Sequence, residues 1–181
     1  MAGPAQARSI YFGPVNFEVS HYLPYEPRAV AAALLDEGYQ ATLIDVGGLK
    51  QRTVLSQKER PNGDVIRRTR CVLDLDLQGP ARRFIGDGEP AWVEEAIWRP
   101  EEQRWDWDIQ PEVGAELLEA SGSIALEPDG GGTVRRVEGM VKVKVPLYGG
   151  RVESWIVDGL RRAYDDEAQR LAAWLARVTP P

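Results

Sequence analysis

The chain has 181 residues, 43% of them hydrophobic, with 22 basic against 28 acidic side chains and a net charge of -6. That length can bury about two-thirds of the unfolded surface around one core, and that charge offers no overall basic field to nucleic acid or anionic headgroups. One cysteine, Cys71, and one histidine, His21, exclude an internal disulfide and any multi-thiolate or multi-histidine metal site within one chain. No apolar stretch nears the roughly 20 residues of a membrane span. Residues 1–9 lack the layout of a secretory signal, so a cytoplasmic location is expected.

In chain order, residues 1–9 read as a loose tail and 10–181 as a single domain. Residues 15–21 alternate, with Val15, Phe17 and Val19 on one face and Asn16, Glu18 and Ser20 on the other, the period of a half-buried strand. Pro27 suits the first position of a helix running to Gly38, and a second short helix or turn is expected over 39–46. Strands follow at 49–59 and 65–75 around the Pro61-Asn62-Gly63-Asp64 turn, and 78–90 reads as an irregular connection. Two more hairpins pair 92–98 with 104–109 and 117–127 with 133–145. In the last strand Val137, Gly139, Val141, Val143 and Val145 form the expected buried set, opposite Arg136, Glu138, Lys142 and Lys144. Short polar loops between successive strands favour an antiparallel meander.

The final 30 residues before Thr179 contain no proline and predict one long helix. At about 100° per residue, Val152, Ile156, Leu160, Ala163 and Trp174 share a stripe, and Glu167 falls near its middle. Arg170, three residues on, offers that carboxylate an ion pair. The resulting class is α+β: a seven-stranded curved antiparallel sheet around a long C-terminal helix, in the order βααββββββα.

That order resembles the START-like (SRPBCC) helix-grip superfamily, which includes lipid-transfer domains, birch-pollen-allergen-like proteins and polyketide cyclases. The last third is similar to a bacterial START-like family known only as a domain of unknown function. The residues that carry the likeness are Leu126-Glu127-Pro128 with Gly130-Gly131-Gly132-Thr133, Glu138-Gly139, Val145-Pro146-Leu147 with Gly149-Gly150, and Glu167 with Trp174-Leu175. The likeness spans about 15–178 and is weakest over 40–90. It implies a helix-grip fold with a cavity between sheet and helix, and no activity transferable residue by residue.

The residues expected to line such a cavity are Phe17, Trp105, Trp107 and Ile109 from the early and middle strands and Val137 and Val141 from the last. Ile156, Leu160, Ala163 and Glu167 would face them from the helix. Aromatic residues there either fill a core or line a pocket. The expected occupant is a hydrophobic small molecule or lipid, bound without catalysis and without metal or cofactor. A polyketide cyclase-like enzyme would need acid/base groups in the same cavity, from Glu167, His21, Tyr164 or Arg170. A packed protein-interaction module would have no cavity. The glycine runs lack the lysine ending and βαβ context of a phosphate loop. Cys71 and the arginines at 67, 68, 70, 82 and 83 are expected to be, respectively, an inert buried thiol and solvated faces.

Overall fold

In the computed structural model of the chain, the residues described are 13–74, 88–144 and 149–179. The expected tail at 1–9, residues 78–87 of the irregular connection and the 145–147 motif lie outside them. Strand β1 (Val15–Leu23) leads to α1 (Pro27–Leu35), α2 (Glu37–Ala41) and a 3-10 turn (Val46–Gly48). Six strands follow: β2 (Leu49–Glu59), β3 (Val65–Leu73), β4 (Ala91–Arg99), β5 (Arg104–Pro111), β6 (Leu118–Asp129) and β7 (Gly132–Val143). The C-terminal helix α3 spans Gly149–Val178, 30 residues and about 45 Å at 1.5 Å per residue.

The strands form one seven-stranded antiparallel sheet in the order β1-β7-β6-β5-β4-β3-β2. Consecutive strands are neighbours from β2 to β7, and β1 returns to pair β7, so the meander expected from the hairpins holds. The single helix expected from Pro27 to Gly38 is two. Asp36 leaves the helical conformation and its carboxylate accepts the Tyr39 backbone N–H at 2.9 Å, capping α2.

The register fixes which side chains face α3. Phe17, Gly139, Gly122 and Trp107 run across four strands on one face, and Arg67, Ala96, Trp107 likewise from the other edge. Phe17 stacks on Tyr164 of α3 with ring centroids 6.2 Å apart, which identifies that face as the inner one. A Cβ on Gly139 would sit 2.6 Å from the Phe17 ring, and one on Gly122 would sit 2.6 Å from Trp107. The two glycines therefore let aromatic rings lie directly on the backbone, which explains the Glu138-Gly139 element in packing terms.

The helix does not lie evenly on the sheet. It runs along β1 and β7 and against α1 and the 3-10 turn, while β3, β4 and β5 make no comparable approach. Its buried residues are Glu153, Val157, Ala168, Leu171 and Leu175. The buried stripe is thus turned by about one residue from the expected one, and Ile156, Leu160, Ala163 and Trp174 sit on its flank, partly accessible. Ala163 faces the 3-10 turn: a Cβ on Gly47, whose φ is 64°, would lie 2.4 Å from it. Glycine at 47 serves both the left-handed backbone and that close approach.

Candidate functional site

Strands β5 and β6 pair only from Arg104↔Ala125 to Asp108↔Ser121 and then part. Beyond that point a cleft of about 440 Å³ opens between them. Ile109, Pro111, Leu118 and Ala120 line it from the inner face, and Asp108, Gln110, Glu119, Ser121 and Met140 from the outer. Its volume lies within the usual range for small-molecule sites, about 300–1,000 Å³. Two carboxylates and no cation are among the lining residues. One of them, Glu119, is held by the Lys144 ammonium.

Ile109, in the lining of this cleft, has Glu94 of β4 as its cross-strand partner on the inner face. Glu94 in turn sits opposite Thr69 of β3, and Cys71, two residues on, sits opposite Trp92. Antiparallel neighbours of this kind bring their Cβ atoms to about 5 Å. Glu94 is enclosed enough that desolvation, the largest influence, raises its pKa against the opposing pull of Arg52 and Arg67, yet it keeps some accessible surface. The same combination holds for Tyr164 on α3, whose phenol is pushed well above its ordinary value by burial and then by the Glu94 and Glu167 carboxylates. Both groups are thus enclosed on the inner side of the sheet while keeping some accessible surface. Thr69 is fully enclosed and its hydroxyl has no hydrogen-bond partner among the described residues. Burial pushes the Cys71 thiol up to about 12, so it is an inert protonated thiol, as expected.

Three guanidiniums near these groups each hold a partner, while Arg67 Nε and Arg135 Nε and Nη1 have none among the described residues. Arg67 donates to the Leu34 carbonyl at the end of α1 at 2.8 Å and lies 4.5 Å from the centroid of the Trp105 ring; burial lowers its pKa to about 10. Arg52 donates to the Gln40 side chain at 2.7 Å. Arg135 donates to Glu167 at 2.5 Å and lies over the Tyr164 ring. Arg67 was expected on a solvated face and is buried; its neighbours Arg68 and Arg70 are the outward ones, paired with Glu95 and Glu112.

The expected Glu167–Arg170 pair does not form. Glu167 takes Arg135, which is fully buried, and Arg170 binds Asp166 on its own helix and Asp45 in the loop before the 3-10 turn. The reason is reach: Arg135 stands on the inner face of β7, two residues from Val137, whereas Arg170 lies on the side of α3 that faces the loop. His21 is likewise engaged, its Nε2 2.8 Å from Asp165 of α3. Of the residues expected to line a cavity, Ile109 borders the cleft. Val137 and Val141 have no accessible surface, and Phe17, Trp105 and Trp107 are nearly as buried, so they pack in the core. Trp105 and Trp107 pack in the core, and the cleft at β5–β6 lies to one side of them.

Glu94, Thr69 and Arg135 were not singled out from sequence, though strand parity marks all three. Among the described residues, no group of His, Cys, Asp and Glu is arranged to hold a metal ion, and no helix is long and apolar enough to cross a membrane.

Residues 18–175 match the model of a family described as protein of unknown function (DUF2505), and the chain belongs to that family. No curated protein matches it. Among solved structures it is similar to the Zhui aromatase/cyclase from Streptomyces sp. R1128, with 10% identity over 93% of this chain and 98% of that one at a TM-score of 0.66. It is also similar to TTHA0849 from Thermus thermophilus (17% identity, 88% and 99% covered, TM-score 0.64). A START superfamily protein from Mycobacterium smegmatis is a third (15% identity, 92% and 100% covered, TM-score 0.58). At these identities the likeness shows the helix-grip fold, as the sequence implied, and nothing further.

Proposed function

We propose that this DUF2505 protein binds a mostly apolar small molecule or lipid, entering at the β5–β6 cleft and reaching inward to Glu94 and Tyr164. The observation that carries this reading is the 440 Å³ cleft itself, whose lining residue Ile109 has Glu94 as its cross-strand partner on β4. Ligand sites combine apolar walls with a few convergent polar groups. Ile109, Pro111, Leu118 and Ala120 supply the former, and Glu94, Thr69 and Tyr164 the latter. Of the residues named from sequence, Ile109, Ile156, Leu160, Ala163 and Glu167 keep accessible surface. The test is binding of Nile red, an uncharged apolar dye, and native mass spectrometry of the purified protein. Saturable binding that Leu118→Trp blocks by filling the cleft supports the reading. No bound species and no dye binding overturn it.

A second reading, an enzyme of the polyketide cyclase type, is favoured by one observation: Glu94 is a carboxyl whose burial disfavours ionisation, a property suited to a general acid. It predicts turnover of a linear poly-β-ketone surrogate, lost in Glu94→Gln. Persistence of turnover in that variant defeats it.

A further inference from the structure

Unpaired donors on the inner face of the sheet bear on what an occupant must offer. Arg67 of β3 and Trp107 of β5 flank Ala96 of β4 in one cross-strand row, and Thr69 lies two residues along β3 on the same face. Arg67, Thr69 and Trp107 expose 7%, 0% and 5% of their surface. Yet Arg67 Nε, the Thr69 hydroxyl and Trp107 Nε1 have no hydrogen-bond partner among the described residues. With adjacent strands about 4.8 Å apart, Arg67 and Trp107 leave the sheet about 10 Å from each other, with only the methyl group of Ala96 between them. The next row, Thr69, Glu94 and Ile109, reaches the cleft lining at Ile109.

Charge points the same way. Among the described residues, Arg67 donates to the Leu34 carbonyl and to no carboxylate. Arg52, Arg67 and Arg135 act on this part of the inner face against the carboxyls of Glu94 and Glu167. Asp108, which also acts on Glu94, is exposed on the outer face. One cation is therefore in excess even with Glu94 ionised, and burial favours the protonated form of Glu94. Enclosing a cation without a counter-charge is costly, and burial accordingly lowers the Arg67 pKa to about 10.

From this arrangement we infer that the occupant is an acid, an apolar molecule whose carboxylate head lies over Ala96 and accepts from Arg67 Nε, the Thr69 hydroxyl and Trp107 Nε1. The inference rests on the binding reading above and specifies its ligand. A carboxylate brings two acceptor oxygens and the missing negative charge, and it has no donor of its own to leave unpaired. Protonated Glu94 adds a donor beside it. An ester answers some of the donors but not the charge, and an ammonium answers neither.

Three fluorescent probes with similar chains and different heads test this: 11-(dansylamino)undecanoic acid, its methyl ester, and N-dansyl-1,12-diaminododecane. The wild-type protein is expected to bind the acid at least about 10-fold more tightly than the ester, with the amine weakest. Arg67→Met, which keeps length and removes charge, is expected to cut the acid-over-ester ratio to below about 3-fold. Thr69→Val, which keeps shape, is expected to weaken the acid about 5-fold, the worth of one hydrogen bond. Circular dichroism and urea midpoints check that each variant is folded. Should Arg67→Met fail to fold through loss of its bond to Leu34, the wild-type comparison and Thr69→Val decide the question. Ester or amine bound as tightly as the acid by the wild type overturns the inference while leaving the binding reading in place. An unchanged ratio in folded Arg67→Met, or unchanged acid binding in Thr69→Val, also overturns it. Failure of all three probes to bind the wild type overturns the binding reading itself.

Discussion

The half of the inner face formed by β1 and β7 and the half formed by β3, β4 and β5 follow the same alternation and end in opposite conditions. On the first, α3 lies close, Phe17 rests on Gly139, and the buried Arg135 guanidinium is answered from the helix by Glu167. On the second, the helix makes no comparable approach, the Thr69 hydroxyl lacks a hydrogen-bond partner among the described residues, and β5 parts from β6. A helix gripped on one side only leaves the other side of the same sheet able to hold something else. The contrast separates residues that keep the fold from residues available to a ligand.

The strongest way to break the gripped half is Glu167→Ala. It strands the fully buried Arg135 guanidinium, and loss of one partner from such a pair costs about 3–5 kcal/mol. Urea denaturation should show that loss, and replacing both partners together by Leu and Met should recover most of it. A smaller loss on the same side, about 1–3 kcal/mol, is expected for Gly139→Ala, because the Phe17 ring occupies the place of the new methyl group. Thermal unfolding with Phe17→Leu in the same chain should show the two changes to be strongly non-additive.

The second half should respond to pH instead. Glu94 binds its proton more tightly when folded, so between the ordinary glutamate value and the raised one the folded state holds more protons. Stability from this group is therefore fully present below that interval and is lost as pH rises through it. Glu94→Gln should match the parent in acid, gain on it as pH rises, and level off above the raised value; a constant difference across pH would contradict this. The smallest effect belongs to neither half. Gly159 faces open space, its nearest contact the Arg162 guanidinium at 4.0 Å, so Gly159→Ala should raise stability by about 0.5–1 kcal/mol through helix propensity alone.

Much of the fold was legible because hairpin turns and period-two alternation are local properties. The site was less so, and the reason lies in three charged doublets within strands. In Arg67-Arg68, Glu94-Glu95 and Arg135-Arg136 successive side chains must point to opposite faces, so one member of each pair has to enter the interior. The register puts Arg67, Glu94 and Arg135 inside and pairs two of the outward members, Arg68 with Glu95, across the outer face. Treating each doublet as a solvated pair hides the residues that polarise the core. The helix phase failed for another reason. Tyr164 and Glu153 face inward although neither is aliphatic, so counting apolar residues turned the stripe by one position. Where the sheet would part was not legible at all, since pairing between β5 and β6 ends through their three-dimensional course.

The closure of the sheet by β1 on β7 has a consequence during synthesis. Val19 pairs with Val137, and at translation rates of about 5–20 residues per second the roughly 120 residues between them take roughly 6–24 s to appear. For that time the first strand has left the ribosome without the neighbour that completes it. The edge that grips the helix is the last to close, after the hairpins of the second half have had time to form.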